Sequence, residues 1–210
     1  MDNSRNSSEL FNKHARLYRE KYMHLTLYDQ TYDKFCNLLT KRGAHVLDAA
    51  CGPGNVARWL LNRRPDLQVL GIDLAPKMIE LAREATPLAR FAEHDCRDLL
   101  GLGKSFDGII CAFGFPYLSR EEVLQFIASA AAVLSSAGVL YISTMEGKNE
   151  DSGFESASTG DKIYVNYHSE QDIVSALEGH GFSIVDICRM ASPNPSSKQT
   201  NDLFIIATKT

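Results

Sequence analysis

Short apolar runs alternate with helical segments along most of this chain. Continuous apolar runs, rather than runs interrupted by polar residues, are typical of parallel strands covered on both faces. Parallel neighbours also need a crossover of a dozen or more residues, usually a helix. The predicted strands span residues 44–49, 67–72, 88–92, 106–112 and 138–143, and the predicted helices span residues 55–63, 76–84 and 120–134. The pattern therefore predicts an α/β fold with a doubly wound, mostly parallel sheet.

The amino-terminal segment has a different pattern. Residues 9–40 repeat apolar side chains at helical spacing, as in Phe11, Ala15, Tyr18 and Tyr22. We expect these residues to form a helical cap, with residues 1–42 preceding a cofactor-binding core at 43–145.

The carboxyl-terminal segment begins with a polar loop. Residues 146–161 form a long stretch rich in glycine, serine and acidic residues, and such a loop in a compact domain is usually functional or disordered. We expect residues 146–168 to form a lid or acceptor-binding loop, and residues 169–210 to form a helix and two strands. The two strands, 181–187 and 203–208, have no helix between them, so the last strand is expected to be antiparallel.

Composition and charge argue against several classes of function. A chain of 210 residues suits one domain, and its net charge of −4 lacks the basic character of a dedicated nucleic-acid binder. No apolar stretch reaches the length of a membrane helix, and the first eight residues lack the apolar segment of a signal peptide. The five cysteines are scattered, which predicts reduced thiols and a cytoplasmic location. No histidine or carboxylate spacing indicates a metal site.

A glycine turn joins the first strand to the first crossover helix. In Gly52-Pro53-Gly54 the backbone N–H groups and the positive end of the following helix favour an anionic or polar ligand, and glycine permits its close approach. Asp73 ends the second strand, where a carboxylate can accept hydrogen bonds from ribose hydroxyls. The turn alone also fits the dinucleotide fingerprint, and Asp73 alone also fits a helix N-cap. Their combination favours a ribose-containing cofactor.

Five segments together resemble the class I S-adenosylmethionine-dependent methyltransferases. The resemblance lies in Val46-Leu47-Asp48-Ala49-Ala50-Cys51-Gly52-Pro53-Gly54 (motif I), in residues 71–79 with Asp73-Leu74, in residues 91–96 with Asp95-Cys96, in residues 106–113 ending in Ala112-Phe113, and in residues 133–140 leading into the fifth strand. They cover roughly residues 44–145 in the family's order.

The resemblance implies S-adenosyl-L-methionine as cofactor and a seven-stranded sheet of order 3-2-1-4-5-7-6 with strand 7 antiparallel. The residues that it implies at the cofactor are Asp48, Ala50, Gly52, Pro53, Gly54, Asp73, Leu74, Met78, Asp95, Cys96, Ala112 and Phe113, with Tyr18 and Tyr22 from the cap. Ala50 departs from the family pattern, which has glycine there. We expect its backbone to keep a negative φ, because positive φ disfavours a Cβ.

The acceptor site is expected beyond the fourth and fifth strands and under the cap. Tyr117, in the aromatic segment after the fourth strand, and His168, beyond the polar loop, are the candidate catalytic residues, although both also fit structural roles. A small or medium-sized acceptor is favoured. Two alternatives stay open at this point: a nicotinamide- or flavin-dependent oxidoreductase with the same glycine fingerprint, and a non-catalytic methyltransferase-like binding domain.

Overall fold

The computed structural model describes residues 3–156, 159–193 and 200–210, with side chains described from residue 6 onward. Its seven α-helices are α1 (Asn3–Lys13), α2 (Ala15–Tyr22), α3 (Asp29–Leu38), α4 (Asn55–Arg63), α5 (Pro76–Ala85), α6 (Arg120–Val133) and α7 (Glu170–Gly179), counted over the described residues. The strands in the same residues are β1 (His45–Ala49), β2 (Gln68–Asp73), β3 (Arg90–Glu93), β4 (Phe106–Ala112), β5 (Leu134–Met145), β6 (Gly153–Ser156), β7 (Lys162–Val165), β8 (Phe182–Ala191) and β9 (Asn201–Lys209).

The main sheet has seven strands in the order β3-β2-β1-β4-β5-β9-β8. Strands β1 to β5 are parallel, and β9 is antiparallel to both β5 and β8. With β8 and β9 as the sixth and seventh strands, this is the predicted order, and the antiparallel last strand is confirmed. The order reverses between β1 and β4, so a crevice opens at the carboxyl ends of these strands.

Helices cover both faces of the sheet. One apolar cluster joins the sheet to α6 and α7 through residues such as Phe126 and Leu177, and a second joins it to α3 and α4 through Phe35 and Leu60. Full burial of one such side chain stabilises the fold by about 1.5–3 kcal/mol. The helix α6 begins with a capping box, in which Ser119 accepts from the Glu122 N–H and the Glu122 carboxylate accepts from the Ser119 N–H.

The cap consists of three helices rather than one continuous segment. A third apolar cluster places Ala15 of α2 against Met78 and Leu81 of α5, with Phe11 and Tyr18 packed at its edge. The first two helices of the cap therefore lie on α5, the helix that follows β2, beside the crevice.

The predicted polar loop is partly ordered as a hairpin. Strands β6 and β7 pair antiparallel, so the expectation of a loop without secondary structure over 146–161 is wrong where β6 lies. Asp161 at the start of β7 accepts from Lys13 Nζ at 3.0 Å and lies 2.6 Å from His14 Nε2, which ties the hairpin to the cap. Residues 157–158 of the predicted lid lie outside the described residues, and its role as a lid stays a prediction.

The fifth strand is longer than predicted. It begins at Leu134, directly after α6, rather than at Gly138. Within the described ranges, no helix is long and apolar enough to cross a membrane.

Candidate functional site

A cavity opens at the carboxyl ends of β1, β2 and β4. The described residues that line it are Ser7, Ser8, Phe11, Tyr18, Ala50, Gly52, Asp73, Leu74, Met78, His94, Asp95, Cys96, Ala112, Phe113, Gly114, Tyr117 and Leu118. We call it the first cavity. It brings together most of the side chains that the sequence placed at a cofactor.

Asp73 connects the two chain segments that form the floor of the first cavity. Its Oδ2 accepts from the Gly52 N–H and its Oδ1 accepts from the Ala75 N–H, each at 2.9 Å. Burial raises the pKa of this carboxyl group, although the backbone hydrogen bonds oppose the shift. Each carboxylate oxygen retains a further lone pair for hydroxyl groups of a ligand.

The glycine turn is left-handed at three of its residues. Ala50 has a φ of 56°, Gly52 of 51° and Gly54 of 82°, so the expected negative φ at Ala50 is wrong. A left-handed conformation costs a non-glycine residue roughly 1–2 kcal/mol, and such strain is typical of functional sites. Space for the Ala50 methyl exists because residue 114 is glycine: a Cβ there would lie 3.1 Å from it.

A second strained residue faces this turn. Phe113, just after β4, has a φ of 56°, and its N–H donates to Ser143 Oγ at 3.0 Å. The turn after β1 and the end of β4 thus form two fixed walls of the first cavity.

Three of the predicted cofactor residues from the first strand and its turn do not line the first cavity. Asp48 is buried beneath the turn, where its Oδ2 accepts from the Ala57 N–H at 3.1 Å. Gly54 caps α4, and a Cβ there would lie 3.0 Å from Ala82, so this glycine permits α4 to pack against α5. Pro53 lies between them in the turn. These residues shape the site from outside it.

Because the carboxyl group of Asp48 is buried, we expect it to make the stability of the protein depend on pH in an unusual way. Burial raises the pKa of its carboxyl group to about 8, and its Oδ1 has no partner among the described residues. The unfolded value is about 3.9, so the folded protein holds this proton more tightly and loses stability as the pH rises from about 4 to about 8. Asparagine is neutral throughout and keeps an acceptor for Ala57. We therefore expect Asp48→Asn to gain stability relative to the parent as the pH rises, measured as the difference in Tm between about pH 5 and pH 9.

Asp107→Asn is the matched control for this experiment. The pKa of Asp107 is lowered: burial opposes the shift, but bonds from the His45 N–H and Lys41 outweigh it. A lowered pKa stabilises the fold at every pH above the unfolded value of about 3.9, so this variant should lose about the same stability at pH 5 as at pH 9. A pH-independent difference for Asp48→Asn would contradict the buried neutral carboxyl.

Part of the lining of the first cavity is apolar, from Leu74, Met78, Cys96 and Leu118. Asp95 also lies there, but its Oδ2 accepts from Arg97 Nη2 at 2.6 Å.

Aromatic residues of the cap cover the first cavity. The Phe11 ring meets Tyr117 edge-on at 4.8 Å and Tyr18 at 5.6 Å between ring centroids. Ser7 and Ser8 of α1 complete this cover. Phe11 shares the helical stripe of Tyr18, a signal that could have identified it, but the sequence reasoning missed it together with Ser7, Ser8, His94, Gly114 and Leu118.

A second cavity adjoins the first. The two share Tyr18, Ala50, Gly52, Ala112, Phe113 and Tyr117. The described residues that line only the second cavity are Tyr22, Leu25, Tyr28, Tyr32, Cys51, Asn55, Val56, Pro116, Met145, Ser192 and Asp202. Tyr22 thus lies beside the second cavity rather than the first.

The two candidate catalytic residues have different positions. Tyr117 lies in the wall shared by both cavities, and burial raises the pKa of its hydroxyl, so it stays protonated at neutral pH. His168 is buried and lines neither cavity; its Nε2 lies 2.9 Å from the Phe115 carbonyl oxygen. Burial also lowers its pKa. The structure therefore does not place His168 in the wall of either cavity, and a catalytic role for it stays a prediction. The described residues contain no cluster of side chains suited to a metal ion.

The chain is similar in sequence and fold to known methyltransferases. Residues 46–138 match the model of a methyltransferase domain. The chain is 41% identical over 81 residues to a demethylmenaquinone methyltransferase of Thermotoga maritima, which covers 38% of this chain and 35% of that protein. It is 34% identical over 107 residues to a trans-aconitate 2-methyltransferase of Variovorax paradoxus, which covers 51% of this chain and 40% of that protein. The chain thus spans well under half the length of these relatives.

A solved structure extends the likeness over the whole fold. The magnesium protoporphyrin IX methyltransferase of Synechocystis, with bound S-adenosylmethionine, superposes with a TM-score of 0.74 at 20% identity, over 100% of this chain and 98% of that one. The whole chain therefore shares the Rossmann-like fold of that methyltransferase. Within it, residues 46–138 match a methyltransferase domain.

Proposed function

We propose that this chain is an S-adenosylmethionine-dependent methyltransferase that acts on a small or medium-sized acceptor. The observation that carries the proposal is the first cavity. In it the Asp73 carboxylate, which is placed to bind ribose hydroxyls, faces the glycine turn, and the cavity adjoins a second cavity lined by aromatic residues. One cavity suits the methyl donor and the other suits the acceptor.

The residues present fit the proposed cofactor. The Asp73 carboxylate would bind the ribose hydroxyls, and Leu74, Met78 and Leu118 offer an apolar slot for the adenine ring. Gly52 has no side chain to fill the cavity at the point where a Cβ would face Tyr18 at 3.7 Å. The methionine part would then lie along the turn towards Phe113.

The sulfonium of this cofactor supplies an activated methyl group, which passes to a nucleophile while sulfur keeps the electron pair of the broken bond. The chain contributes orientation and exclusion of water. Phe113 and Tyr117, which lie in the walls of both cavities, are the side chains placed to align the two ligands.

The named relatives support a small acceptor, since demethylmenaquinone and trans-aconitate are metabolites rather than macromolecules. A cytoplasmic location belongs to the same proposal, because all five cysteines are free thiols.

Ligand-dependent stabilisation tests the proposed cofactor. A ligand that binds only the folded state adds about 2.7 kcal/mol at a hundred times its Kd. We expect S-adenosylhomocysteine, the methyl-free product, to raise the Tm, and NADH at the same concentration to leave it unchanged. Stabilisation by NADH alone would favour an oxidoreductase, and stabilisation by neither would favour a non-catalytic domain.

A further inference from the structure

The second cavity contains one carboxylate that the proposed cofactor does not use. Asp202, at the start of β9, pairs with Met145 of β5 and is 1% exposed. Its Oδ2 accepts from the Tyr28 hydroxyl at 2.6 Å, and the Ser192 hydroxyl also donates to it. Asp202 lies in the cavity wall with Met145 and Ser192, on the β5 side of Phe113.

Both partners of Asp202 are neutral hydroxyls. No ion pair within the described ranges includes this carboxylate, and the residues described in the wall of the second cavity include no lysine, arginine or histidine. A buried carboxylate is normally paired with a cation, because burial without one is costly. Consistent with this, burial raises the pKa of Asp202.

Aromatic rings form much of the remaining wall. Tyr28 stacks at 5.1 Å from Phe113 in a tilted arrangement, and Tyr22 and Tyr32 add further rings. The faces of such rings attract cations, by about 0.5–1 kcal/mol at exposed sites and more when water is excluded. A carboxylate within an aromatic wall suits a positively charged nitrogen, whereas a polyanion such as trans-aconitate would meet a like charge.

We propose that the second cavity binds a small amine as the methyl acceptor, with its ammonium group on Asp202. This inference rests on the proposed function. Before transfer, the bound ammonium group gives one proton to the Asp202 carboxylate or to water. The lone pair of the resulting amine then forms the N–C bond as the S–C bond of the donor breaks, and the electron pair of that bond stays on sulfur.

Calorimetry on the protein saturated with S-adenosylhomocysteine tests this assignment with benzylamine, benzyl alcohol and benzoate as probes. These three share a ring and differ in charge. We expect benzylamine to bind at least tenfold more tightly than the other two. Equal or tighter binding of benzyl alcohol or benzoate, or no binding of benzylamine up to about 10 mM, overturns the proposal.

Asp202→Asn keeps the shape of the side chain and removes its charge. We expect it to weaken benzylamine binding at least tenfold while the affinity for S-adenosylhomocysteine stays within twofold. Asp186→Asn, which makes the same charge change at a carboxylate paired with Lys34 outside both cavities, is the control and should change neither affinity. Unchanged benzylamine binding by Asp202→Asn overturns the proposal. If the parent protein does not bind S-adenosylhomocysteine, that result would instead overturn the proposed methyltransferase function, and the acceptor assignment with it.

Discussion

Gly52→Val is expected to abolish binding of S-adenosylhomocysteine, with an affinity loss of more than about a hundredfold, or roughly 3 kcal/mol. Gly52 has a φ of 51°, and a Cβ built there points to Tyr18 Cε1 at 3.7 Å, across the space assigned to the cofactor. Valine would fill that space with two further methyl groups. Its branched side chain would also strain the left-handed backbone that presents the Gly52 N–H to Asp73. Calorimetric titration measures the loss.

Gly103→Val separates lost binding from lost stability. Gly103 has a φ of 58°, close to that of Gly52, but a Cβ there meets nothing within 4 Å, and the residue lines neither cavity. The two variants should lose similar amounts of stability, whereas only Gly52→Val should lose the ligand. Normal binding by a folded Gly52→Val protein would mean that the turn is not part of the cofactor site.

The sheet was predictable because its signals are local. The helix Asn55–Arg63 and the strand Phe106–Ala112 match the predicted bounds, since apolar runs and helical spacing are properties of adjacent residues. The β6–β7 hairpin was missed because its strands have four residues each and depend on distant partners. The Tyr167 hydroxyl donates to Glu155 of β6 at 2.5 Å, and Lys13 Nζ donates to Asp161, the residue before β7.

Part of the candidate site was predictable for the same reason, namely that its signals are local in the sequence. Asp73 and Gly52 follow strands of a recognisable pattern, so their meeting at one end of the sheet follows from the topology. The role of Asp202 does not, because its neighbours Tyr28 and Ser192 come from the cap and from the end of β8. The sequence pattern also did not predict the backbone conformation at Ala50, which has a positive φ. Gly114, after another strand, leaves room for the Ala50 methyl group.

Asp73→Ala is expected to weaken binding of S-adenosylhomocysteine by about tenfold to a hundredfold, because hydrogen bonds to a charged group contribute about 1.5–3 kcal/mol. The variant also removes the acceptor of the Gly52 N–H, so part of the loss would arise in the turn itself. Asp107→Ala is the control, since it likewise removes a carboxylate that accepts a backbone N–H but lies outside both cavities.

Adenosine and 2′,3′-dideoxyadenosine separate the two contributions to the Asp73 effect. If Asp73 binds the ribose hydroxyls, the parent protein should prefer adenosine, and Asp73→Ala should lose most of that preference. If the effect arose in the turn alone, Asp73→Ala would weaken the binding of both nucleosides equally and the preference for adenosine would remain. The coupling between the carboxylate and the ribose hydroxyls appears only when both groups are present. An intact preference in Asp73→Ala, measured by calorimetry, would place the ribose elsewhere in the cavity. Loss of the preference would assign the hydroxyl contact to the carboxylate at the end of β2, and with it the orientation of the donor towards Phe113 and the acceptor cavity.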